Sequence, residues 1–140
     1  MLEKYEGEFS AEEFIKKYMT RKSVTRSLAL QQLRKEIPKE SYYQDKIKKG
    51  LKKRYKNAFI RKIAQSRYSE AGTPDVMCVI DGHYFGFEVK RPIVGVPSKL
   101  QSKAIREIEL AGGTAVFVTW PEECYEIIDT WRAGRPGQDE

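Results

Sequence analysis

The chain reads as one α/β domain in which a mixed central sheet is flanked by helices, with a helical extension ahead of it. Three features of its 140 residues predict this. Asp81-Gly82 lies between two β-prone runs, DVMCVI and HYFGFEVK, which is the strongest short-range signal for an antiparallel hairpin. A helical pattern over residues 98 to 110 then separates that hairpin from another apolar run at 114 to 119, and a crossover helix returns the chain parallel to the strand it left. A helix and a further strand precede the hairpin, which makes the order αβββαβα over residues 38 to 132.

Taken in order, Ser10 and Glu13 form a capping box that starts a helix running to about Met19, with Phe14, Ile15 and Tyr18 on its apolar side. Ser23 begins a second helical pattern, in which Val24, Leu28, Leu30 and Leu33 recur before Pro38 stops it. Residues 1 to 37 are thus a helical extension. It packs on the core, contacts nucleic acid through Arg21, Lys22 and Arg26, or extends a dimer surface, with packing the default. A third helix, residues 41 to 55, should bury Tyr43, Ile47 and Leu51 and turn its lysines outward, although Gly50 weakens it. Residues 58 to 64 read as a strand carrying Phe59, Ile60 and Ile63, followed by a polar loop from 66 to 73.

The hairpin places charge where a buried sheet should be apolar. With Ile80 paired to His83, counting outward sets Asp75 opposite Glu88, and period-two alternation puts Lys90 on the face of Glu88. Val76, Cys78, Ile80, His83, Phe85, Phe87 and Val89 share the other face, so both sides are largely apolar and the hairpin belongs at the covered centre of the sheet. Two carboxylates opposite one another are destabilising unless they share a proton or hold a cation. A divalent metal is the simpler resolution. The bland alternative is that Asp75 caps a strand while Glu88 and Lys90 make a solvated pair.

After Lys90, residues 91 to 99 form a Pro- and Gly-bearing loop suited to tracking a nucleic-acid strand. Ser98 N-caps the helix over 98 to 110, and Gln101 in its first turn is placed to point back at the acids. Gly112-Gly113 ends that helix, and residues 114 to 119 are a strand. A last helix from Pro121 to about Arg132 carries Tyr125, Ile127, Ile128 and Trp131, and residues 133 to 140 are expected to be a frayed tail.

Gly72-Thr73-Pro74-Asp75 and Phe87-Glu88-Val89-Lys90, with twelve residues between Asp75 and Glu88, then Gln101 and Ala111-Gly112-Gly113, resemble the VRR-NUC branch of the PD-(D/E)xK nuclease superfamily, over roughly residues 40 to 128. The resemblance implies a restriction-endonuclease-like core and Mg²⁺- or Mn²⁺-dependent hydrolysis of DNA phosphodiesters that leaves a 5′-phosphate. It also implies that Asp75, Glu88 and the Val89 carbonyl bind metal, which would polarise the scissile phosphate and lower the pKa of a water. Lys90 would orient that water or stabilise developing charge, with Gln101 assisting. Relatives carry another acid near the start of the first core helix. Glu40 fits one alignment and Gln44, followed by Asp45, another; Glu40 is preferred.

Composition fits such a partner. Twenty-six Lys and Arg against 20 Asp and Glu give a net charge of +6, and from Lys46 to Arg67 there are ten basic residues and no acid. Lys46, Lys49, Lys52, Lys53, Arg54, Lys56, Arg61, Lys62 and Arg67, with Arg91 beyond the hairpin, are the expected phosphate contacts. A solvated helix face is the alternative, but the block leads directly into the hairpin. Two separated cysteines and one histidine supply neither a disulfide framework nor a zinc ligand set, and His83 is read as a strand-end residue rather than a base. With no membrane-length apolar run and acids in MLEKYEGEF, the expectation is a cytoplasmic protein, in the host cell if phage-encoded. Stand-alone members of the family resemble phage replication, recombination and repair enzymes, so a homodimeric, structure-selective endonuclease acting on four-way junctions is expected. The alternatives are a flap-, nick- or single-strand-directed nuclease and a non-catalytic nucleic-acid-binding module, which would need no acid pair.

Overall fold

The computed structural model describes residues 10 to 64 and 72 to 135. They divide into two compact units, one comprising the chain up to Lys39 with Arg91–Val96, the other Glu40–Lys90 with the chain from Pro97 onward.

In the first unit, α1 (Ala11–Lys22) is capped by Ser10, whose hydroxyl accepts the Glu13 N–H at 3.2 Å. α1 buries Phe14, Ile15 and Tyr18, and α2 (Arg26–Glu36) buries Ala29 and Leu33. Ser23 does not start α2 as its sequence context predicts. It adopts a left-handed conformation, φ 54°, and its N–H closes α1 onto the Met19 carbonyl, so Thr25 becomes the N-cap instead, accepting the Leu28 N–H. Arg91 donates to the carbonyls of Arg34 at 2.7 Å, Ile37 at 2.8 Å and Pro38 at 3.0 Å. A cationic side chain thereby satisfies acceptors at and beyond the C-terminus of α2, and any phosphate at Arg91 must compete with three carbonyls.

The second unit contains α3 (Glu40–Arg54), β1 (Phe59–Lys62), β2 (Val76–Ile80), β3 (His83–Val89), α4 (Lys99–Leu110), β4 (Thr114–Val118) and α5 (Pro121–Ala133). The sheet runs β1-β2-β3-β4, antiparallel through the first two pairs and parallel in the last. Asp81 and Gly82 take φ of 51° and 78°, the pair of positive values that a two-residue hairpin of matching twist requires. Ile80 pairs with His83 and Val76 with Phe87, so the expected register holds. The ladder ends there. Beyond it, the Asp75 carbonyl accepts the Ile63 N–H at 2.7 Å, which extends the β1 edge by one residue past Lys62.

One face of the central strands carries Val76, Cys78, Ile80, Phe85, Phe87 and Val89, all buried. Trp131 of α5 closes it, stacking on His83 at 4.3 Å and meeting Phe85 edge-on at 5.5 Å. His83 also bonds to Thr114 Oγ1 at 2.8 Å, and burial holds its pKa below the ordinary value. On α3, Tyr43, Ile47 and Leu51 point inward and Tyr43 meets Trp120 edge-on at 5.6 Å. Gly50 has a packing reason: a Cβ there would lie 2.1 Å from the Tyr125 hydroxyl oxygen and 3.3 Å from Pro121 Cβ, so α3 and α5 approach closely at this point. α5 begins at Pro121, and Glu123 accepts the N–H groups of Thr119 and Trp120, both at 2.9 Å. Cys78 and Cys124 are free and buried, and burial pushes the Cys78 thiol up to about 12.

Candidate functional site

Three chain segments bring carboxylates together. Asp75 enters from the residue ahead of β2, Glu88 from the penultimate position of β3 and Glu40 from the first turn of α3. One carboxylate oxygen of each lies within 4.8 Å of the others. Asp75 and Glu88 are 5% and 2% exposed, which removes most of the water that would otherwise screen their repulsion. The Asp75 carboxylate accepts the Val89 N–H at 2.9 Å, so its position is tied to the backbone of the strand that carries Glu88. Gln44, one helical turn after Glu40, donates its amide to Glu40 at 3.3 Å, while Asp45 is paired with Lys62 at 2.9 Å. The acid beside the other two is therefore Glu40, with Gln44 as its neighbour.

Glu88 is the pivot. Its Oε1 accepts from Gln101 Nε2 at 2.9 Å, but its Oε2 is buried with no hydrogen-bond partner. Burial, foremost, raises its pKa, reinforced by Asp75, with which a proton would be shared, and by the charge of Glu40; Lys90 opposes the shift. Lys90 follows β3 directly, half-buried, its N–H held by the Val118 carbonyl at 2.8 Å. An orphaned carboxylate oxygen inside an all-oxygen cluster fits a hard divalent cation such as Mg²⁺ or Mn²⁺.

This arrangement makes a thermodynamic prediction. Because the folded-state pKa of Glu88 is raised above its ordinary 4.5, its contribution to metal-free stability is full below that value and is lost as pH rises. A cation relieves the loss. Saturating Mg²⁺ is expected to stabilise the fold by about 2–3 kcal/mol at pH 8 through mass action, and by less at pH 5, where protons compete for the site far more strongly. Calorimetric melting with Mg²⁺ or chelator at both pH values checks this; shifts that are equal, or absent at pH 8, would refute it.

Two supporting details add to what the sequence indicated, the first being the reciprocal bond between Ser98 and Gln101. Ser98 and Gln101 form a complete capping box, the serine hydroxyl accepting the Gln101 N–H at 3.1 Å and Gln101 Oε1 accepting the Ser98 N–H at 3.0 Å. With its oxygen occupied by the cap, the Gln101 amide can present only its NH₂ to Glu88. The S-x-x-Q spacing was the available signal. The second is Gly86, on the acid-bearing face of β3, where a Cβ would stand 2.9 Å from Pro74 Cγ; the glycine makes room for the proline that precedes Asp75.

The basic residues are dispersed around these elements. Lys49, Lys52, Lys53 and Lys56 are exposed and make no ion pair among the described residues. Arg54 bonds to Asp129 at 2.8 Å, Lys46 lies over the Trp120 ring at 5.5 Å, and Arg61 lies over Phe59 at 4.1 Å. Arg67 is outside the described residues. No helix among them is long and apolar enough to cross a membrane.

A mixed four-stranded sheet with helices on its flanks and acids at the end of its central hairpin is a restriction-endonuclease-like α/β core. A solved VRR_NUC domain has this fold: the chain is similar to it at a TM-score of 0.51 and 18% identity, over 64% of this chain and 97% of that one. No family model matches the chain, and no curated protein does.

Proposed function

We propose that the chain is a metal-dependent DNA endonuclease, and the observation that carries this reading is the convergence of Glu40, Asp75 and Glu88 on a VRR_NUC-like fold. Glu40, Asp75, Glu88 and the Val89 carbonyl would hold one or two Mg²⁺ or Mn²⁺ ions. When bound, such an ion polarises a phosphate oxygen and makes a neighbouring water a stronger nucleophile. Lys90 supplies an ammonium next to Glu88 that orients the water or neutralises charge developing on the phosphate. Gln101 acts through Glu88, holding one oxygen of its carboxylate; it is a positioning residue. The exposed lysines of α3 supply phosphate contacts, and their contribution should weaken with salt.

For substrate, four-way junction DNA handled by a homodimer with paired active sites is the preferred reading, with flap, nicked or single-stranded DNA next. The test offers labelled DNA of each kind to the protein with Mg²⁺, Mn²⁺ or chelator, and measures its mass in solution. Cleavage should require the metal and leave a 5′-phosphate. Lys90→Ala is expected to reduce the rate about a hundred-fold or more with binding retained. Gln101→Ala should weaken metal affinity about ten- to a hundred-fold, as loss of an orienting partner does. If no DNA is cut in any metal, the nuclease reading fails.

A further inference from the structure

On the face of the sheet that bears the acids, β1 carries exposed side chains toward the hairpin end. Phe59 of β1 pairs with Val79, which pairs with Tyr84, so these three form one row; Arg61 and Met77 lie in the next, and Ile63 donates to Asp75 in the row of the acids. Alternation places Phe59, Arg61 and Ile63 on the same face as Asp75 and Glu88. Phe59 is 49% exposed whereas its neighbour Ile60, on the opposite face, is 2% exposed. The Arg61 guanidinium lies 4.1 Å from the centre of the Phe59 ring while Nη1 is held by the Ile60 carbonyl at 2.8 Å. Four residue steps along the strand take the chain from Phe59 to Ile63, roughly 13 Å, the length of about four stacked nucleotides at roughly 3.4 Å each.

We propose that Phe59 and Arg61 form a stacking platform for an unpaired nucleobase of the strand whose phosphate lies at the acids. The inference deepens the nuclease reading and rests on it for the strand's direction, naming unpaired bases as the feature of the DNA that is recognised. An exposed aromatic ring with an adjacent guanidinium on a sheet edge matches the chemistry of single-strand binding, in which rings stack on bases and cations meet the backbone. Both partners of that chemistry are present, and a paired duplex would leave the ring without a base to stack on.

The test uses binding in the absence of divalent metal, so that it does not depend on cleavage. Anisotropy with a labelled single strand and with a fully paired duplex is measured for the wild-type chain, Phe59→Ala, Phe59→Tyr and Arg61→Ala, together with quenching of 2-aminopurine placed in the single strand. Phe59→Ala should weaken single-strand binding about ten- to a hundred-fold, leave duplex binding unchanged and abolish the change in quenching. Phe59→Tyr should retain all three properties. Arg61→Ala should weaken single-strand binding and lower its salt slope by about one. Equal loss on both DNAs, unchanged single-strand binding by Phe59→Ala, or loss on Phe59→Tyr would overturn the proposal. Cleavage by the wild-type chain, scored separately, decides the nuclease reading: a chain that stacks the base and cuts nothing would refute that reading alone.

Discussion

Glu88→Gln is expected to abolish metal-dependent cleavage, by at least about a thousand-fold, while making the metal-free protein more stable. The two effects share one cause. Glu88 is 2% exposed, one of its oxygens has no donor, and two further carboxylates stand within 4.8 Å. An amide of the same shape needs neither a buried charge nor a proton taken up above its ordinary pKa, and it can donate to Asp75, at the cost of a negatively charged ligand for the cation. The gain should be on the order of 1–3 kcal/mol at pH 8, or several degrees in Tm for a chain of this size. It should shrink toward pH 5, because as pH nears the ordinary value of 4.5 the unfolded side chain is protonated too and holding the proton in the fold costs less. Calorimetry with chelator at both pH values, beside cleavage with Mg²⁺, tests the pair. Wild-type cleavage by Glu88→Gln would remove Glu88 from the mechanism, and a lower Tm at pH 8 would show that its carboxylate is well solvated rather than stranded.

What could be read from the sequence is what is encoded locally. Asp81-Gly82 sets the turn, the turn sets the register, and the register brings Asp75 beside Glu88 before any tertiary contact is considered. Helix ends were harder to place. Ser23 and Thr25 are both good caps, and the choice falls on Thr25 because Ser23 closes the preceding helix in a left-handed conformation, a single dihedral angle that composition does not reveal. Glu40 and Gln44 are one turn apart on the same helix face, so periodicity cannot separate them; only the approach of α3 to the end of the hairpin does. Arg91 has partners that charge could not indicate, since they are carbonyls more than fifty residues earlier in the chain. Gln101 is the opposite case, since its capping box was written in four consecutive residues.

Gly86→Val is expected to impair cleavage more than loss of stability alone explains. A glycine inside a strand costs about 0.5–1 kcal/mol relative to alanine, so its presence in β3, flanked by the fully buried Phe85 and Phe87, calls for a steric reason. A Cβ would stand 2.9 Å from Pro74 Cγ, 3.0 Å from Tyr84 Cε1 and 3.2 Å from Pro74 Cβ. Tyr84 can turn its ring, but the proline ring is part of the backbone and cannot yield without moving the chain. That movement passes directly to Asp75, whose carboxylate must stay 2.9 Å from the Val89 N–H to remain beside Glu88. Overpacking of this kind costs about 1–3 kcal/mol, and Gly86→Ala should show a milder form of the same effect. Rates are compared at a temperature where circular dichroism shows each variant folded, and a drop of at least about ten-fold is expected for Gly86→Val, since small misplacements at a reacting centre are costly. Pro74→Ala removes the Cγ that is struck first, so in the Pro74→Ala, Gly86→Ala double variant the destabilisation should be less than the sum of the two single changes. Strict additivity, or wild-type cleavage by folded Gly86→Val, would mean that the glycine serves the strand alone and that the position of Asp75 is set elsewhere.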